Sequence, residues 1–178
     1  MTASVIPKQR PPTSSFVRKC LHLIGPSFGV ALDEPCGPGR HSEFLVNQGM
    51  YVIAADIDRS CLQVLRQSSS GRTLLPRLSL VRLDAALPLP FKAGVFDLVV
   101  VIHPPFTDVV FNAASTVRKG GHLIFETFGA QGENWRALPQ PGHVAAKLSA
   151  DFDALVYSEG GARIRPEAVT VKGLFRRR

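Results

Sequence analysis

Apolar residues fall along the chain in two alternating rhythms. In TSSFVRKCLHLI (13–24), Phe16, Val17, Cys20, Leu21 and Ile24 recur at helical spacing, Thr13 or Ser14 can cap the start, and Gly25 with Pro26 ends the run. GVALDE (29–34) then reads as a short buried strand. RHSEFLVNQG (40–49) reads as a helix with Phe44 and Leu45 inward and Gly49 as its stop. YVIAADID (51–58) is apolar until its acidic end, a second strand, and SCLQVLRQ (60–67) a helix leading into a polar loop, SSSGR. LSLVRLD (78–84) alternates as a third strand, LPLPFKAG is a loop, and VFDLVVVI (95–102) is the most buried strand of the chain. FTDVVFNAASTVRKGG (106–121) is expected to be a helix closed by its double glycine, and HLIFETFG (122–129) a fifth strand. A helix near 141–149 and strands at 152–160 and 168–177 complete the chain.

Strands alternating with helices predict an α/β architecture, a mostly parallel sheet with helices on both faces. The last two strands break the rhythm, because only GARIRPE separates them. A connection that short suits a hairpin and not a parallel crossover. The expected sheet has about seven strands, with one antiparallel strand near the C-terminus. Residues 13–178 are expected to form a single domain behind a flexible tail, 1–12, that lacks the apolar core of a signal peptide.

Composition narrows the classes. The hydrophobic share of 45% and charged share of 20% are those of an ordinary globular protein. No apolar run approaches the ~18 residues of a membrane span. Three widely spaced cysteines, Cys20, Cys36 and Cys61, form neither a disulfide framework nor a zinc pattern, so no metal site is expected and a reducing cytoplasm is the simplest setting. The net charge of +7 permits an anionic partner, but KQR near the start and FRRR at the end carry much of it.

Chemistry concentrates in LDEPCGPGRHSEFL. A strand ends in Asp33 and Glu34, Gly37 and Gly39 let the backbone turn sharply, and a helix follows with unpaired N–H groups at its start. By itself such a loop is only a tight turn. The second strand ends in Asp56, 17 residues beyond Gly39, where a carboxylate can accept from both hydroxyls of a ribose. Asp58 suits the cap of the next helix. The third strand ends in Asp84, followed by Ala85. Three successive strands thus end in acid at one edge of the sheet, the edge where open parallel sheets hold ligands.

In order, ALDEPCGPGRHS, YVIAADID, LVRLDAALPLPFKAGVFDLVVVIH and VRKGGHLIFETF resemble the class I S-adenosylmethionine-dependent methyltransferases over residues 13–176. The likeness extends to small stand-alone bacterial members of the tellurite-resistance or ubiquinone-methyltransferase type. The resemblance implies a Rossmann-like three-layer sandwich and S-adenosyl-L-methionine as cofactor. It implies Asp33 near the cofactor's methionine part, Cys36, Gly37 and Gly39 in the loop, and Asp56 with Ile57 at the ribose. Asp84 would take the adenine amino group and the Ala85 N–H a ring nitrogen. The family's first loop glycine is here Pro35, whose φ is fixed near −65°. A nicotinamide dinucleotide is the rival, but Ser42 stands where its third glycine belongs, and Asp33 would face a pyrophosphate.

Methyl transfer from a sulfonium needs positioning more than acid–base groups. IHPPF (102–106) resembles the D/N-P-P-Y/F motif of amine-directed methyltransferases, with His103 in the polar position, able to accept a proton near neutral pH or simply to line the pocket. His41 is expected on a helix surface. Phe106, Glu126 and, in the loop after the fifth strand, Asn134 and Trp135 are candidate substrate contacts. A small-molecule acceptor is expected, in a site walled by the N-terminal segment or a second copy in a homodimer. The alternatives are amino methylation of RNA or protein, and a degenerate cofactor-binding module without catalysis.

Overall fold

In a computed structural model of the protein, residues 11–25, 29–70, 75–129, 139–161 and 169–178 are described. Among them the sheet has seven strands, in the order β3-β2-β1-β4-β5-β7-β6. The strands are β1 (Val30–Asp33), β2 (Tyr51–Asp56), β3 (Leu78–Arg82), β4 (Phe96–Ile102), β5 (Val117–Phe128), β6 (Phe152–Gly161) and β7 (Val169–Arg177). The first five pair in parallel, and β7 runs antiparallel to both of its neighbours, β5 and β6. This is the predicted mostly parallel sheet with a C-terminal hairpin.

Two cores lie on either side of it. Along β4, Leu98, Val100 and Ile102 point to one face and Val99 and Val101 to the other, the two-residue period of a strand buried on both sides. The first face is covered by α1 (Ser15–Ile24), α2 (Arg40–Asn47) and α3 (Arg59–Ser70), through Phe16, Cys20, Leu45, Leu62 and Leu65. The second is covered by α4 (Asp108–Ala114) and α5 (His143–Leu148), through Val109, Val110, Val144 and Leu148. Burial of each large apolar side chain contributes about 1.5–3 kcal/mol, so these three layers hold the strand ends in fixed relation. No described helix is long and apolar enough to cross a membrane.

Three expectations need correction. The helix expected over 106–121 is only the seven residues of α4, because Val117 already pairs with Phe96 as the start of β5. The double glycine lies inside β5. Gly120 has φ +75°, and a Cβ on Gly121 would press on the carbonyls of Phe96 and Asp97, so the pair makes the register shift between Phe96 and Leu98. The serines expected to leave the helix after Gln67 continue it through Ser70, since the Ser68 and Ser69 hydroxyls donate back to the Leu65 carbonyl. Finally, β3 stops at Arg82, and Asp84 stands in the turn beyond it, its Oδ1 accepting the Ala86 N–H at 2.9 Å.

Candidate functional site

The site lies where β1, β2 and β4 end. Register pairs Asp33 with Ala54 and with Val100, so the residues after each strand emerge at one level. The chain then climbs through the 34–39 loop. Its hydrogen bonds run Glu34 N–H to Val100 O (3.0 Å), Cys36 N–H to Ala55 O (2.8 Å) and Gly39 N–H to Cys36 O (3.0 Å). The left-handed residues are Gly37 (φ +52°) and Gly39 (φ +87°). Pro35 occupies no position that requires a positive φ. The two glycines serve different ends: a Cβ on Gly39 would run into Leu65 of α3, whereas one on Gly37 would meet nothing within 4 Å. Gly39 seats the loop on the fold, and Gly37 leaves room in front of it.

Asp56 is the joint of the site. One carboxylate oxygen accepts the Gly37 N–H at 2.7 Å and the other the Asp58 N–H at 2.8 Å. Asp58 accepts from Ser60 N–H at 2.7 Å, the predicted helix cap. Two cavities meet at Pro35 and Asp56. The larger, about 350 Å³, is lined by the loop from Pro35 to Pro38 and by Pro11, Arg40, His41, Ile102 and His103. The smaller, about 190 Å³, is lined by Glu34, Ile57, Leu83, Asp84, Ala85, Ala86, Pro105 and Phe106. Ile57 is 55% exposed, an apolar side chain at the cavity edge with room for a flat ligand to cover it. Phe106 therefore sits with Ile57 and Asp84, apart from His103.

Asp33 is fully buried and lines neither cavity. Its Oδ2 accepts the Ser42 hydroxyl at 2.5 Å, and its Oδ1 has no partner. Burial raises its pKa to about 7, against the opposing pull of Ser42 and Arg40. Glu34 is buried too, with an unpartnered Oε2. Burial first, then the charges of Asp33, Asp56 and Asp84, raise its pKa to about 8. Burial also pushes the Cys36 thiol up, away from the reactive thiolate.

His103 closes the end of β4. Its N–H donates to Glu126 O at 2.8 Å, its ring stacks on Phe128 at 5.0 Å, and its φ is +54°. The ring opens onto the larger cavity, and desolvation by the walls holds its pKa below the ordinary histidine value. His41 is not on a surface as expected. It is 3% exposed, and burial, with Arg40 and His103 nearby, lowers its pKa to about 3. Its Nε2 lies 3.4 Å from the Ser14 N–H as acceptor. Four-residue spacing from buried Leu45 was the signal that it faces inward.

The N-terminal segment lies over this mouth. Thr13 Oγ1 donates to Arg40 O at 3.0 Å, and Ser14, the cap of α1, also donates to Glu126 Oε2 at 2.5 Å. Glu126 is held in addition by Lys172 at 3.7 Å. Of the predicted tail, 1–10 lies outside the described residues, as do Asn134 and Trp135. Among the described residues no group of three His, Cys, Asp or Glu side chains is arranged to hold a metal ion.

Residues 31–121 match the family model of a methyltransferase domain. The chain is 30% identical over 137 residues to the malonyl-[acyl-carrier protein] O-methyltransferase of Salmonella typhimurium, an alignment covering 71% of this chain. It spans about half of that relative's length (51%). Among solved structures, TehB from Haemophilus influenzae superposes with a TM-score of 0.75 at 16% identity, over 93% of this chain and 63% of that one. A geranyl diphosphate methyltransferase in complex with SAM superposes with a TM-score of 0.74 at 10% identity, over 90% and 84% of the two chains.

Proposed function

The chain belongs to the methyltransferase domain family, and from that premise we propose that it is an S-adenosylmethionine-dependent methyltransferase acting on a small molecule. The observation that carries the reading is the pair of cavities meeting at Asp56. A ribose at the joint would direct the base into the smaller cavity, against Ile57, Asp84, Ala85 and Phe106, and the methionine arm into the larger one beneath Gly37. Charge supports the same ligand. Asp56 and Asp84 line the cavities, Asp33 lies behind them, and among the described lining residues Arg40 is the one cationic side chain. A ligand with a sulfonium and an ammonium relieves that crowding, whereas a pyrophosphate would add to it.

Bound there, S-adenosylmethionine supplies a methyl group on a positively charged sulfur that leaves as a neutral thioether. The chain's own task is therefore to align an acceptor with that methyl and to exclude water. His103 faces the larger cavity, and its lowered pKa keeps the ring neutral near pH 7, able to take a proton from an acceptor O–H or N–H. Asp33 acts at one remove, through Ser42 at the start of α2, holding the loop that Gly37 and Gly39 shape. Glu126, tied to Ser14 and Lys172, would border the acceptor and fix the segment over it.

The small-molecule acceptor is supported by the size of the larger cavity, which is within the few hundred Å³ such ligands require. Free thiols at Cys20, Cys36 and Cys61 support a reducing compartment, the cytoplasm. The test is calorimetry with S-adenosylhomocysteine and NAD, followed by an acceptor screen read by S-adenosylhomocysteine release. Carboxylic acids and hydroxyl-bearing molecules come first, because the Salmonella relative is named for O-methylation. Micromolar or tighter binding of S-adenosylhomocysteine is expected. Binding of NAD alone would overturn the reading.

A further inference from the structure

The smaller cavity holds a side chain that the methyltransferase reading leaves without a task. Glu34 is 1% exposed, lines this cavity, and carries an oxygen with no hydrogen-bond partner. A buried carboxyl left unpaired costs about 1–3 kcal/mol or more, so its retention here needs a ligand or a proton. The other polar side chains lining the cavity, Asp56 and Asp84, are carboxylates and can only accept. The remaining wall side chains are apolar; the backbone offers N–H groups such as that of Ala85 for one ring nitrogen, while Pro105 has none. A purine presents three ring nitrogens that accept, yet no wall side chain other than a protonated Glu34 can donate to one.

We propose that Glu34 is a base-recognition residue whose carboxyl donates an O–H to a ring nitrogen of the cofactor's adenine. The inference rests on the reading of the smaller cavity as the nucleobase site. The charges that face Glu34 are Asp33 beside it, Asp56 at the end of β2 and Asp84 beyond β3, and all three oppose its ionisation. The segment between β4 and α4 presents Pro105 and Phe106, which do not titrate. Burial and this ring of carboxylates keep the proton on Glu34 through neutral pH. Within the cavity the side chain would then serve as the complement of Asp84, a donor opposite an acceptor.

Calorimetry of S-adenosylhomocysteine with wild type, Glu34→Gln and Glu34→Met, between pH 6.5 and 8.5, tests the assignment. Glu34→Gln keeps a donor and is expected to bind within about threefold of wild type at pH 6.5. Glu34→Met has a similar length and no donor, and is expected to bind on the order of tenfold more weakly. Wild-type affinity should fall with pH more steeply than that of Glu34→Gln; the comparison cancels any titration of the ligand's own amino group. A set of 1-, 3- and 7-deaza-adenine analogues gives a second readout. One of them should lose about the same factor against wild type and lose nothing further against Glu34→Met. Equal affinity and equal pH slope in wild type and Glu34→Met would overturn the proposal while leaving the cofactor reading intact. Failure of wild type to bind S-adenosylhomocysteine would overturn both.

Discussion

The Asp56 carboxylate accepts the Gly37 N–H across 2.7 Å, tying the end of β2 to the turn after β1. One side chain thus shapes the loop and stands at the junction of both cavities. Removing it should act twice. Asp56→Ala is expected to weaken S-adenosylhomocysteine binding by about 1–3 kcal/mol or more, the cost of a lost charge-assisted hydrogen bond plus a loosened loop. Asp56→Asn retains an acceptor for Gly37 and should lose less. Calorimetry giving equal affinity in wild type and Asp56→Ala would remove Asp56 from the ligand.

Gly37 and Gly39 should separate binding from stability. Gly39→Ala meets Leu65 and a positive φ, so it is expected to destabilise the fold by about 1–3 kcal/mol, partly recovered in Gly39→Ala/Leu65→Ala. Gly37→Ala meets no atom within 4 Å, and its stability cost is limited to about 1–2 kcal/mol for the left-handed backbone. Its methyl enters the space in front of the loop, so ligand affinity should fall more than stability does. Urea titrations paired with calorimetry distinguish these outcomes. If Gly37→Ala bound S-adenosylhomocysteine as wild type does, the ligand would not approach the loop there.

How far the sequence reveals this site depends on whether the determining contact is local. Strands buried on both faces, such as β4, announce themselves by continuous apolar runs, and the acids ending β1 and β2 are visible as breaks in those runs. The helix–strand boundary at 115–117 is not visible, because Gly120 and Gly121 read as a helix stop until the carbonyls of Phe96 and Asp97 are seen close against Gly121. The burial of His41 is only half legible: its four-residue spacing from Leu45 turns it inward, but Ser14 lying across it belongs to another element. Phe106 follows His103 by three residues, but Pro104 and Pro105 carry the chain into the other cavity, a separation that closeness in sequence hides. Glu34 was visible as an acid, but its lack of a partner is a property of the packed site alone.

His103 combines a left-handed backbone, worth about 1–2 kcal/mol of strain in a non-glycine residue, with a ring stacked on Phe128. His103→Ala keeps the strained φ and loses the stacking, so its melting temperature should fall. His103→Gly relieves the φ and should fall less. Both should lower turnover on any acceptor that must give up a proton, by about 10²-fold or more, and change S-adenosylhomocysteine affinity by less than about threefold. Single-turnover kinetics with an acceptor from the screen makes the comparison. Loss of ligand binding with turnover retained would place His103 on the cofactor side.

The desolvated ionisable groups predict a stability profile with two limbs. His41 and His103 are held neutral, with pKa values below the ordinary 6.5, so their share of stability is present above that pH and lost as pH falls. Asp33 and Glu34 have the opposite sign. Their pKa values are raised from 3.8 to about 7 and from 4.5 to about 8, so the folded chain binds more protons than the unfolded one between those limits. Their contribution is complete below the unfolded values and lost as pH rises through 7 and 8. From pH 6.5 to 8 the unfolded histidines, with an ordinary value of 6.5, give up the rest of their protons and add a smaller opposing gain, while the cysteine thiols, with an ordinary value of 9.0, are still mostly protonated. The carboxyls dominate the balance. The ligand-free protein should lose on the order of 1–2 kcal/mol over that window through Glu34 alone. Glu34→Gln should flatten the limb, leaving the part that belongs to Asp33. Chemical denaturation at half-unit pH steps measures both slopes. A wild-type stability that rises from pH 6.5 to 8 would mean that Asp33 and Glu34 are ionised in the folded protein.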